Sequence, residues 1–136
     1  PGQNQTLGKM WSSAVYELMN LTNAGGFLRH CDDAKQGKLT RTEYAEGNQR
    51  LEYNACVALK NFYHSTFKPW AETNGYEPAR GELGEGFYLW IPESYEAWIA
   101  SYTDGSYDYF YDYFDKTIVP YLEKKGRYNP VKHAAN

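Results

Sequence analysis

The chain predicts an all-α fold of four to five helices, and three features carry that prediction. Apolar residues recur at three- and four-residue steps along most of the chain. Thr40-Arg-Thr-Glu43 has the form of a capping box opening a helix. The one run with strand-like alternation, Tyr107 to Phe114, has aromatic residues on both faces and no turn partner, so its helical spacing prevails.

In chain order, the first seven residues are polar and read as frayed. From Gly8 to about Thr22, Trp11, Val15, Leu18 and Leu21 mark one apolar helix face. Asn23-Ala-Gly25-Gly26 breaks that helix, and a short second one runs from Phe27 to about Asp33, ending in the polar turn Ala34 to Lys38. Behind the capping box a long helix carries Tyr44, Leu51, Ala55, Ala58, Leu59, Phe62 and Thr66, until Pro69 stops it. Thr73 to Gly86 is a glycine-punctuated loop, and Phe87-Tyr-Leu-Trp-Ile91 reads as a short extended segment. Pro92 suits the first turn of a helix with Tyr95, Trp98, Ile99 and Tyr102 on one side. Ser106 caps a final helix with the stripe Tyr107, Phe110, Tyr111, Phe114, Ile118 and Leu122, kinked at Pro120 and ended by Gly126. Asn129-Pro130 starts one more helix near the end. The chain reads as a single helical domain with residues 1–7 disordered, and no internal repeat stands out.

Composition narrows the function classes. An apolar content of 42 % and a charged content of 23 % are ordinary for a globular chain. The net charge of −3 argues against nucleic acid, which calls for a basic patch, and leaves a basic protein partner open. No run of 18 apolar residues exists, so no membrane-spanning segment is expected. The 14 tyrosines suit either a helical core or a recognition surface. Because the chain begins with Pro1 and not methionine, it reads as a processed species; a removed signal peptide fits, and a protease-trimmed product fits equally.

Cys31 and Cys56 are the only cysteines and fall on consecutive predicted helices, which invites one disulfide and an oxidising compartment, periplasmic or secreted. Such a bond would close a loop of about 26 residues, worth roughly 3.5 kcal/mol by chain entropy. Two unpaired core thiols are the plainer alternative.

Catalytic signals are thin. His30, His64 and His133 show no metal-ligand spacing, so neither a metal nor another cofactor is expected. Glu82, Glu85 and Glu93 flank an aromatic segment that could hold a sugar. Glu93-Ser94 is similar to the Glu-Ser opening of lytic transglycosylases, but the Gly-Leu-Met-Gln stretch of that group is absent. No nucleophile–base set has workable spacing, and the chain is expected not to be an enzyme. The triplets Asn4-Gln-Thr6 and Asn20-Leu-Thr22 match the glycosylation sequon, a pattern frequent by chance.

The order of features resembles the Tai/Rap family of small periplasmic immunity proteins, which neutralise amidase effectors of type VI secretion systems. The resemblance runs over about residues 26 to 135. It is carried by Phe27-Leu28-Arg-His-Cys31, Ala55-Cys-Val-Ala-Leu-Lys-Asn-Phe62-Tyr63, Ile91-Pro92-Glu93, and Pro120-Tyr121-Leu122 leading to Pro130 and Ala134. The chain departs from the family at Trp90, where a further cysteine is usual, in lacking a closing cysteine, and in its longer 73–86 loop.

The resemblance implies a non-catalytic inhibitor that blocks a cell-wall amidase as a dimer, by inserting a loop into its active-site cleft. The counterpart here is Thr73 to Tyr88, with Tyr76, Glu77, Arg80, Glu82, Glu85 and Tyr88 as contacts to the effector. Two other classes remain open: a structural or adaptor component of a cell envelope or virion that packs through the tyrosine-rich last helix, and an envelope glycan hydrolase.

Overall fold

Helices supply the regular structure of this chain. The structure is a computed structural model and describes residues 7–75 and 91–133, with no strand among them. The helices are α1 (Leu7–Thr22), α2 (Ala24–Lys35), α3 (Arg41–Phe62), α4 (Lys68–Thr73), α5 (Tyr95–Ala100), α6 (Tyr109–Tyr113), α7 (Val119–Lys124) and α8 (Pro130–His133). Among the described residues no helix is long and apolar enough to cross a membrane. The all-α expectation holds for the described residues, but they carry more helical segments than the four to five expected, because turns and π turns divide the longer predicted helices.

The described chain divides into two compact units, each discontinuous in sequence. One contains α1 and the chain from Tyr53 through α4; the other contains Asn23–Glu52 and α5 to α8. In the first, Val15, Leu59 and Tyr63 form the core, flanked by Tyr16, Met19, Phe62 and Phe67. This core turns α1 by one position from the predicted face. Ser12 and Val15 are buried, while Trp11, Leu18 and Leu21 are 51 %, 61 % and 68 % exposed. The inward positions 12, 15, 16 and 19 follow helical spacing as well as the predicted set does, so periodicity alone was right for Val15 and wrong for Trp11, Leu18 and Leu21.

In the second unit, Ala34, Tyr44, Phe114, Ile118 and Leu122 are buried together, with Cys31, Leu39, Val119 and Tyr128 against them. The glycines expected to separate α1 from α2 lie inside α2, which begins at Ala24. Gly26 is needed there because a Cβ would stand 2.9 Å from the side chain of Leu51. Asn23 reaches the same place, its side-chain amide donating to the Leu51 carbonyl at 2.9 Å. The capping box forms as expected: the Thr40 N–H donates to the Glu43 carboxylate at 2.7 Å, and the Glu43 N–H donates to the Thr40 hydroxyl at 3.1 Å. Those bonds hold the Glu43 carboxyl below its usual range.

Gly37, at φ +74°, ends α2 and turns its carbonyl toward α8. That carbonyl accepts from Lys132 Nζ at 2.9 Å and lies 3.3 Å from His133 Nε2. Because His133 Nδ1 accepts from the Asn129 N–H at 2.9 Å, the ring proton belongs on Nε2, and the buried imidazole is satisfied at both ends.

Neither Pro69 nor Pro120 interrupts its helix. Each follows a five-residue π turn, Tyr63–Phe67 or Phe114–Ile118, and helix continues beyond as α4 or α7. A proline in a helix lacks an N–H and crowds the carbonyl four residues back. Here the residue before it donates five residues back instead, Lys68 to the Tyr63 carbonyl and Val119 to that of Phe114. The surrounding sequences correspond: Tyr63-x-x-Thr66-Phe67-x-Pro69-Trp70 against Phe114-x-x-Thr117-Ile118-x-Pro120-Tyr121. Each run ends at a left-handed glycine, Gly75 or Gly126. Buried positions also correspond, Leu59, Tyr63 and Ala71 with Phe110, Phe114 and Leu122. A short local repeat, one copy per unit, is therefore present where the sequence had suggested none.

The predicted disulfide is absent: Cys31 and Cys56 are not joined by a disulfide. Helix register explains this. Gly26 faces Leu51 and His30 faces Gly47, so α2 and α3 run antiparallel and the position opposite Cys31 lies near residue 46. Cys56 is ten residues further on, about 15 Å along the helix. Bridging needs Cα atoms within about 7 Å.

Two starts also shift. α5 begins after Ser94, whose hydroxyl accepts from the Ala97 N–H at 3.1 Å, and not at Pro92. α6 begins at Tyr109; Ser106 instead donates its N–H to Asp104 Oδ1 at 3.0 Å in the turn before it.

Candidate functional site

The predicted contact residues Tyr76, Glu77, Arg80, Glu82, Glu85 and Tyr88 lie outside the described residues, as does most of the loop assigned to them. Among the described residues no three His, Cys, Asp or Glu side chains converge on a point where a metal ion would sit. A different site is visible in the second unit, where α3, α5 and the chain leading into α6 enclose a cleft of about 430 Å³.

Its walls follow from local sequence. On α3, Glu46, Gln49 and Arg50 sit at i, i+3 and i+4, which puts them on one face. The Ser94 cap starts α5 so that Tyr95, Glu96 and Ile99 line the opposite wall. Gly105, at φ +75°, and the Asp104–Ser106 bond reverse the chain, bringing Tyr102 and Tyr107 edge to face at 4.8 Å. Both rings rest on Trp98, at 5.2 and 4.8 Å, which is 1 % exposed and anchors this end of the cleft. Tyr111 on α6 and Asp108 before it complete the lining.

Two arginines lie against tyrosine rings. The Arg50 guanidinium lies 3.9 Å from the centre of the Tyr95 ring and 3.3 Å from a Glu96 oxygen. The Arg41 guanidinium lies 4.5 Å from the Tyr111 ring centre and donates to both Asp115 oxygens, at 2.9 and 3.0 Å. The Tyr95 hydroxyl donates to Gln49 Oε1 at 2.8 Å.

Burial pushes the Tyr95 and Tyr111 hydroxyls above their usual pKa, and the Glu46 carboxylate adds to both shifts. Glu96 is held low, first by its own backbone N–H and then by Arg50 and Ser94. These shifts all lead away from neutrality. Of the three carboxylates in the lining, Glu96 is paired with Arg50; Glu46 and Asp108 form no ion pair among the described residues.

The sequence had given the last helix's tyrosines to the core. Phe110 and Phe114 are buried as expected, but Tyr107 and Tyr111 are half-buried and line the cleft. Tyr109 and Tyr113 edge a second hollow of about 410 Å³ with Tyr44 and Phe110. The available signal was the set Glu46, Gln49 and Arg50 on one face of α3, a polar patch outside the capping box. No family model matches the chain, and neither a curated protein nor a solved structure matches it.

Proposed function

We propose that the chain is a non-catalytic binding protein that acts by covering a protein partner, in the way of the periplasmic amidase immunity proteins it resembles. The observation that supports this reading is the tyrosine-lined cleft, in which Glu46 and Asp108 form no ion pair among the described residues. Tyrosine offers large contact area at small entropic cost, and its hydroxyl tolerates water at a partly wet interface. The cleft's perturbed groups are displaced from neutral pH, which favours recognition over turnover. On this reading the loop residues Tyr76, Glu77, Arg80, Glu82, Glu85 and Tyr88 also contact the partner, the partner is a cell-wall amidase and the location is the periplasm.

The test is an amidase assay on purified peptidoglycan with type VI effector amidases, with and without the chain. Added chain should lower turnover in proportion to its concentration and release no fragments by itself. Unchanged amidase rates remove the inhibitor reading, and fragments released by the chain alone promote the hydrolase. Binding to an envelope or virion protein that depends on Tyr109 and Tyr113 but not on the cleft would promote the adaptor.

A further inference from the structure

We infer that the cleft formed by α3, α5 and the start of α6 receives a basic side chain, the guanidinium or ammonium group of an arginine or lysine exposed on the partner. This rests on the binding role above and names what the cleft takes.

Charge is the first argument. Glu46, Glu96 and Asp108 line the cleft against Arg50 alone, and Arg50 is already committed to Glu96. Among the described residues that leaves Glu46 and Asp108 without a counter-charge. An anionic ligand would be brought against both; a cation would neutralise them.

The rings are the second. A cation is drawn to an aromatic face within about 6 Å of its centre, and tyrosines form much of the lining. Two of the lining rings already carry this contact, Arg50 on Tyr95 at 3.9 Å and Arg41 on Tyr111 at 4.5 Å. Guanidinium packing on these rings is therefore a geometry the site already accommodates.

Position is the third. Glu46, Tyr95 and Tyr111 line the same cleft, so a cation drawn to the Glu46 carboxylate enters a space walled by aromatic rings. The volume of about 430 Å³ admits a long side chain with part of its backbone.

The experiment titrates the full chain at low salt with N-acetyl-arginine amide and N-acetyl-lysine amide, followed through tyrosine NMR resonances. Their neutral counterparts, the citrulline and Nε-acetyl-lysine amides, are titrated alongside, together with inorganic phosphate and N-acetylglucosamine. The cationic probes should bind with dissociation constants on the order of millimolar and the neutral ones should not. Glu46→Gln and Asp108→Asn should each weaken binding roughly three- to tenfold, whereas Glu123→Gln, outside the cleft, leaves it unchanged. Both cleft carboxylates are exposed, and circular dichroism checks that the variants keep their helices.

Equal binding of arginine and citrulline amides, preference for phosphate or the sugar, or indifference to Glu46→Gln would overturn the inference. The amidase assay separates its failure from that of the inhibitor role. Inhibition that survives Glu46→Gln removes the basic-side-chain receptor alone. Cation binding in a chain that never slows an amidase removes the inhibitor alone.

Discussion

Gly47 leaves the space that the His30 ring occupies. A Cβ at residue 47 would stand 2.7 Å from His30 Nδ1 and closer still to Cε1. Nδ1 is itself buried with no hydrogen-bond partner among the described residues. A glycine inside a helix costs about 1 kcal/mol relative to alanine, so α3 keeps it for this contact. Gly47→Ala should therefore lower stability by about 1–3 kcal/mol through overpacking, despite the better helix former. Urea denaturation of Gly47→Ala, His30→Ala and the double variant checks it. The double variant should be more stable than the sum of the single losses, since removing the ring frees the space.

Burial on α1 and in the last helix separates two apolar residues of similar predicted standing. Phe114 is fully buried, and Phe114→Ala should cost roughly 3–5 kcal/mol. Leu18 is 61 % exposed, and Leu18→Ser should change folding stability by no more than about 0.5 kcal/mol. Equal losses for the two in thermal or chemical denaturation would restore the stripe that spacing had suggested.

Thiol chemistry reads the register of α2 against α3. Alkylation of the denatured protein without reductant should add two groups, one each at Cys31 and Cys56. In the folded protein Cys31, half-buried, should react before Cys56, which is 7 % exposed. A mass lacking both adducts would mean a bonded pair and a different helix register.

Alkaline pH should unfold the chain through its tyrosines. Burial pushes Tyr44 up to about 12 and raises Tyr63, Tyr95, Tyr109 and Tyr111, with acidic neighbours adding to the last four. A folded-state pKa above the unfolded value of about 10 means that the native state holds those protons more tightly. Their stabilisation is complete below about pH 10 and is lost as pH rises toward 12. Phenolate absorbance should therefore rise in two phases, the second coinciding with loss of helical circular dichroism. A single phase centred near pH 10 with helix intact would show that these hydroxyls titrate as if exposed.

What was legible in the sequence was local. Thr40 and Glu43 satisfy each other across one turn, Gly126 ends a helix by its own backbone freedom, and Phe114, Ile118 and Leu122 lie inward as their spacing indicated. What was missed depended on a partner distant in sequence. Spacing cannot say whether Leu18 or Met19 joins Val15 at the core, because both sets fit a helix; the position of Leu59 and Tyr63 decides. Gly26 read as a breaker until Leu51 supplied the reason for a missing Cβ. The disulfide failed for the same cause, since two cysteines on consecutive helices meet only if the register permits. The cleft needed α3, α5 and the turn at Gly105 together, and no single stretch announces it.

The two π turns also keep their helices in phase. Leu59, Tyr63, Phe67 and Ala71 are spaced by fours, as are Phe110, Phe114, Ile118 and Leu122, and each set faces a core. In an unbroken α-helix residues four apart drift by about 40° per step, so three steps would carry the last one about 120° around the axis. A π turn takes an additional residue into its hydrogen-bonded ring and slows that rotation where the drift would accumulate. The extra residue is thus a spacer that keeps Ala71 and Leu122 aligned with the aromatics upstream. Deleting one residue there, Thr66 or Thr117, would leave a helix that still winds but presents a different face beyond the proline.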